Sequence, residues 1–282
     1  VIEASRSRWL SRWFSRWFEA TATRSIRRTF AVTWVAGLER LEAIDPRTSL
    51  LCVANHTAWW DGMVVLALNA GPLRREGFAL MDAANLERYR FFRRVGGFGV
   101  TAGSRRDGAR VLRYAAEILE TPGRALWVFP QGAETPAHAP LVFQPGAARL
   151  AVLSPQTPVI PVGLRYVFGA RSRPELFISL GAPLARPDRP DQPHGADRPD
   201  VDAQRDAVAE QLARIDAHLL RPDPGFVPWV GDPARRDDRA ARWLDRLVGG
   251  GGALAAGSGD EATVGRQRQL APAPPGAAAR QR

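Results

Sequence analysis

The stretch from Leu50 to Leu68 constrains the fold more than any other. It opens with Leu50-Leu51-Cys52-Val53-Ala54, a short continuous apolar run that reads as a buried strand. It closes with Met63-Val64-Val65-Leu66-Ala67-Leu68, which reads as the apolar start of a helix. Between them stands Asn55-His56-Thr57-Ala58-Trp59-Trp60-Asp61-Gly62. His56 therefore sits where a strand ends and a helix begins, the place where α/β proteins put their chemistry. On a regular helix His56 and Asp61 would point to different faces, because each residue turns about 100°. They converge only if His56 lies in the turn ahead of the helix, which the turn-forming Asn-His-Thr permits. An imidazole takes up a proton near neutral pH. A carboxylate on its other nitrogen fixes the tautomer and stabilises the imidazolium that forms. Such a pair activates a hydroxyl for attack on an activated acyl group without a protein nucleophile. Taken alone, the His-x4-Asp spacing also fits a structural histidine at a strand end.

The rest of the chain repeats the alternation. Further strands are expected at 78–81, within 96–101, and at 125–129, 159–167 and 176–180. Helices are expected at 60–70, 86–95, 104–120 and 147–153. The 104–120 stretch sets Val111, Leu112, Ala115, Ile118 and Leu119 on one side, with Ser104 as its cap and Pro122-Gly123 as its stop. Strands alternating with helices imply an α/β fold with a largely parallel sheet flanked by helices. A helical pattern also runs through the amino-terminal segment to about Val35, and 38–41 reads as a short strand. After Leu184 the composition shifts to Pro, Asp and Arg. Two amphipathic stretches follow at 201–220 and 234–248, separated by an expected loop over 222–233. The last residues are mostly Gly, Ala, Pro and Gln, too polar and too flexible to bury a core. The division expected from these shifts is an amphipathic helical segment over 1–34, a catalytic domain over 35–185, a linker over 186–200, a helical appendage over 201–248 and a disordered tail over 249–282.

Three further stretches sit in a fixed order after His56-x4-Asp61. They are Arg94-Val95-Gly96-Gly97-Phe98-Gly99-Val100, Phe129-Pro130-Gln131-Gly132 and Val159-Ile160-Pro161-Val162. In this order and spacing the sequence resembles the glycerolipid acyltransferase family, which includes the bacterial lysophosphatidic acid acyltransferases. The likeness spans about residues 35–185. It implies transfer of a fatty acyl group from acyl-CoA or acyl-carrier protein to the hydroxyl of a lysophospholipid or related lipid, with no cofactor. His56 would be the general base and Asp61 its orienting carboxylate. Asn55, Gly97, Phe98, Phe129, Pro130, Gln131, Gly132 and Pro161 would shape the substrate site, with Gln131 and Gly132 binding acceptor or polarising the thioester carbonyl. Arg105 and Arg106, at an expected helix start, could hold a phosphate, since helix amino termini and guanidinium groups both favour anions. The sequence departs from the family pattern at Thr101-Ala102, where an acid–arginine pair is usual, at Gln131, where glutamate is usual, and at Ala133-Glu134, where threonine–arginine is usual. The missing arginines loosen the expected grip on an acceptor phosphate and leave a glycolipid acceptor open. A non-catalytic membrane-binding protein on a degenerate scaffold is the other reading, and the intact His56 and Asp61 argue against it.

Other chemistry finds little support. Gly97-Phe98-Gly99-Val100-Thr101-Ala102 matches a dinucleotide fingerprint but lacks the strand before it. There is no Gly-x-Ser-x-Gly elbow and no cluster with metal-ligand spacing, so no metal is expected. The single cysteine, Cys52, lies in the apolar run and reads as a core thiol. The net charge is +10, with arginine supplying every basic side chain except histidine. That charge calls for an anionic partner. No nucleic-acid-binding signature accompanies it, so a membrane surface is expected and nucleic acid is not. Residues 7–18 repeat Ser-Arg-Trp-Leu/Phe three times, and Trp9, Trp13 and Trp17 form a stripe flanked by Arg8, Arg12 and Arg16. Aromatic on one side and arginine on the other is the pattern of a helix lying in a membrane interface. No apolar run is long enough to span a bilayer, and the early arginines speak against a secretory signal. The expected location is the cytoplasmic face of a membrane.

Overall fold

All five side chains of Leu50–Ala54 are buried, so this strand lies inside a sheet covered on both faces. The computed structural model describes residues 2–4, 10–100, 105–169, 171–184 and 200–233. Residues 10–16, 100, 105 and 106 are described by their backbone alone. The chain divides into two compact units, 1–238 and 239–282, and every described residue lies in the first. The expected linker over 186–200, apart from Asp200, the helix over 234–248 and the tail over 249–282 fall outside the described residues.

The elements in chain order are α1 (Leu10–Thr29), β1 (Val32–Ala36), α2 (Leu38–Glu42), β2 (Leu50–Ala54), α3 (Trp60–Ala70), β3 (Glu76–Asp82), α4 (Ala83–Arg88), a 3-10 helix (Arg90–Val95), β4 (Gly97–Val100), α5 (Arg105–Glu120), β5 (Arg124–Val128), α6 (Gly146–Leu153), β6 (Val159–Val167), β7 (Glu175–Leu180), α7 (Val201–Leu220) and β8 (Val227–Gly231). They build one eight-stranded sheet in the order β4-β3-β5-β2-β6-β7-β1-β8. Strands β4, β3, β5, β2 and β6 run parallel to one another. Strand β7 turns back against β6, β1 pairs parallel with β7, and β8 closes antiparallel on β1. The result is an α/β fold with a mostly parallel sheet flanked by helices.

Alternation along the strands sorts the core into two layers. Leu50, Cys52, Ala54, Trp127, Ile160, Val162 and Leu164 pack on one face with Ile26 and Phe30 from the α1 end and Val64, Val65 and Leu68 from α3. Leu51, Val53, Leu126, Val128 and Val159 face the other way. There they meet Val111, Ala115 and Ile118 of α5, Leu150 of α6, and Val208 and Leu212 of α7. Burial pushes the Cys52 thiol up to about 12, so it is an inert core group. Helix α7, from the stretch expected to be an appendage, lies directly on the sheet: Ser179 of β7 donates to the Gln211 side chain at 2.9 Å.

Three local expectations are corrected. The amino-terminal helix stops at Thr29, and Val32–Ala36 is a strand because β7 and β8 offer it partners on both sides. Leu38–Glu42 is a short helix, not a strand. Residues 227–231, expected as loop, form edge strand β8. Pro228 is tolerated there beside a register shift between Thr33 and Trp34, as prolines are on strands at a sheet's edge.

Candidate active site

The parallel strands β2, β5 and β6 deliver their carboxyl ends to one edge of the sheet, where open α/β folds bind ligands. The residues after β2 turn before α3 begins, and that turn brings His56 onto Asp61. His56 Nδ1 lies 2.7 Å from Asp61 Oδ2. The same oxygen accepts the backbone N–H groups of Thr57 at 2.8 Å and Ala58 at 3.1 Å. Asp61 is thus the anion at a helix amino terminus, where the exposed N–H groups favour it. Its side chain is completely buried, whereas that of His56 is 23% exposed. An ionised carboxylate can only accept. Nδ1 therefore carries the proton in this contact, which in the neutral imidazole leaves the lone pair on Nε2.

Phe129, at the end of β5, stacks on the imidazole with ring centroids 4.6 Å apart. Gln131 then reaches back: its Oε1 accepts the backbone N–H of His56 at 2.6 Å. Its Nε2 donates to the hydroxyl of Thr135. Thr135 in turn donates its N–H to the carbonyl of His56 at 2.9 Å. The main chain of His56 is therefore gripped on both sides by the loop after β5. Arg165 secures the far part of that loop, donating to the carbonyl of Ala137 at 2.8 Å while paired with Asp216 of α7 at 2.7 Å. From β6, Tyr166 donates its hydroxyl to Asp61 Oδ1 at 2.5 Å.

Residues 35–165 match the family model described as Acyltransferase. The chain carries an acyltransferase domain over these residues. That domain makes it an O-acyltransferase. Among solved structures it is similar to PlsC, the 1-acyl-sn-glycerophosphate (LPA) acyltransferase of Thermotoga maritima, with a TM-score of 0.50 and 21% identity over 75% of this chain and 82% of that one. At that identity the likeness shows a shared fold. No curated protein matches the sequence significantly.

Several residues expected to touch substrate in this acyltransferase have other duties. Asn55 is 1% exposed, and its amide exchanges two bonds with the backbone of Leu164, at 3.0 and 2.8 Å. It pins the end of β2 to β6. The amide of Gln131 is occupied by His56 and Thr135, and the N–H of Gly132 donates to the carbonyl of Phe129 at 3.1 Å. Both donors are engaged within the protein. Gly132 takes φ +77°, a turn conformation that glycine adopts without strain.

Phe98 is fully buried among α5 side chains, with its ring 5.3 Å from Tyr114. Gly97 and Gly99 lie in β4, not in an open loop. A Cβ at Gly97 would meet the Phe92 carbonyl at 2.9 Å, and one at Gly99 would meet Leu86 at 2.4 Å. These glycines let α4 and the 3-10 helix close on the strand. Pro161 is buried in β6 opposite Val53, and Pro130 accepts the N–H of Gln144 at 2.8 Å. Arg105 and Arg106 stand at the start of α5, and their side chains lie outside the described residues.

Tyr166 and Thr135 join the site without belonging to any of the motifs. Tyr166 ends the alternation Ile160, Val162, Leu164 on the face that carries α3, which was the available signal. Nothing in the spacing of Thr135 announced its contact with His56.

Proposed function

We propose that this acyltransferase moves a fatty acyl group from an acyl-CoA or acyl-carrier-protein thioester to the hydroxyl of a lysophospholipid or related lipid at a membrane surface. The observation that carries the reading is the His56–Asp61 contact of 2.7 Å, with Asp61 buried and Nε2 left to act. The hydroxyl gives its proton to Nε2 as its oxygen attacks the thioester carbonyl. The C–S bond then breaks, and the leaving thiolate takes the proton back from the imidazolium. Asp61 stabilises the imidazolium between the two steps.

Support for a membrane surface comes from α1 and the 3-10 helix. Trp17 is 61% exposed, and Phe18 lies 5.1 Å from Phe91. Tyr89 and Phe92 continue the aromatic surface, and Arg88 sits over the Tyr89 ring. Aromatic rings and guanidinium groups side by side suit the headgroup layer of an anionic membrane, here its cytoplasmic face. No described helix is long and apolar enough to cross a membrane.

Glu134 is exposed on the loop that carries Gln131, where the family pattern leads one to expect arginine. A carboxylate near a bound phosphate repels it. We therefore expect a weaker demand for an acceptor phosphate than in lysophosphatidic acid enzymes. The test is a turnover screen with one acyl-CoA and a panel of lysophosphatidic acid, other lysolipids and uncharged hydroxylated lipids in direct competition. Comparable turnover of charged and uncharged acceptors supports the reading. Strict preference for lysophosphatidic acid overturns the inference from Glu134, and no acyl transfer to any lipid hydroxyl overturns the function.

A further inference from the structure

The two oxygens of Asp61 are served unequally. Oδ2 accepts from His56 Nδ1, Thr57 N–H and Ala58 N–H. Oδ1 accepts from Tyr166 alone among the described residues. The carboxylate is fully buried, and no described arginine forms an ion pair with it. A buried carboxylate oxygen without a donor is strongly unfavourable. The Tyr166 ring is itself held by Phe30, with centroids 5.6 Å apart, and Phe30 packs edge-on to Trp60 at 5.2 Å. The hydroxyl is therefore aimed by the core of the sheet face, not by the loop that carries His56.

We propose that Tyr166 is a positioning residue of the His56–Asp61 pair: its hydroxyl fixes the rotation of the Asp61 carboxylate and tempers its basicity, so that His56 stays neutral and ready to accept a proton. This rests on the reading of His56 as the base in acyl transfer. Burial, then the charge of Asp61, then the bond to it push the Tyr166 phenol well above its usual range, so it remains a donor. Glu134 is the other charged group facing it, and it pushes the same way. Removing the donor leaves more of the carboxylate's charge to act through Oδ2. That favours the imidazolium and raises the pH at which His56 gives up its proton.

The experiment is a pH titration of the His56 imidazole by nitrogen-15 NMR in the full chain and in Tyr166→Phe, alongside kcat/KM profiles with an acyl-CoA and an accepted lipid. The Phe ring keeps the packing against Phe30. In Tyr166→Phe the His56 titration and the acid limb of kcat/KM should both move up by roughly half to one pH unit. The plateau kcat should fall by about tenfold, with the acceptor KM unchanged. Uniform replacement of the tyrosines by 3-fluorotyrosine, a stronger donor, should move the titration the opposite way. A His56 titration that stays put or moves down in Tyr166→Phe overturns the proposal. A titration that moves while the activity limb does not would keep Tyr166 in its place and overturn His56 as the base, so the two failures are distinct.

Discussion

The carboxyl end of β2 and the outer face of α1 belong to one compact unit and are built by opposite rules. At β2, His56, Asp61, Gln131, Thr135 and Tyr166 satisfy one another, and each bond fixes the direction of the next. Around Trp17, Phe18, Tyr89 and Phe91 the contacts are ring against ring, 5.1 to 6.4 Å apart, with no direction to enforce. The first arrangement is sensitive to single atoms, because a proton moves only along a correctly aimed bond. The second is distributed, because partitioning into an interface sums over buried area and charge. In the proposed function, one end decides whether the reaction occurs and the other how often substrate is met.

Four variants can break or sharpen that contrast. The largest effect is expected for His56→Ala: turnover should fall about 10²–10⁴-fold, with melting temperature and binding to anionic vesicles unchanged. Near-normal turnover in the folded variant would remove the dyad from the mechanism. Gln131→Ala should lower kcat by about thirtyfold at constant acceptor KM, since the amide steadies the main chain of His56. A raised KM with kcat intact would instead make Gln131 a binding group. Replacing Trp9, Trp13 and Trp17 together by serine should weaken sedimentation with anionic vesicles by about tenfold and leave turnover of a soluble short-chain acceptor alone. If vesicle binding is unaltered, the stripe packs inward and the contrast collapses. The smallest effect belongs to Arg88→Gln: about a threefold loss of vesicle binding that vanishes as salt is raised, measured by the same sedimentation.

What could be read from the residues follows the range of the interactions. The strand over 159–167 and the helix over 201–220 were legible because local periodicity decides them. So was the His56–Asp61 pair, whose members lie within one turn of chain. Gln131 was not legible as a brace, because its partner His56 is brought to it only by the pairing of β2 with β5. The glycines of β4 announced that something approaches closely, and the sequence could not say that Leu86 and the Phe92 carbonyl do so instead of substrate. Strand β1 was hidden for a related reason: Val32–Ala36 continues the pattern of the helix before it, and only β7 and β8 make it a strand.

The seating of β1 also sets the order in which the molecule can be put together. Thr33 pairs with Leu176 on one side and with Val230 on the other. The strand precedes every other strand of the described sheet and finds no neighbour until β7 has followed it out of the ribosome. The block from β2 to β6 is contiguous and can condense without it, whereas β1 must wait through a long loop closure. The first of these strands in the chain is the keystone set after the block that follows it. Helix α1 need not wait for that step: Ala22 packs with Met63 and Leu66 of α3 and with Val95, so the β2–β6 block can seat the helix before the strand that follows it is paired. A chain that stops short of β7 would hold α1 against α3 and leave β1 without either of its partners.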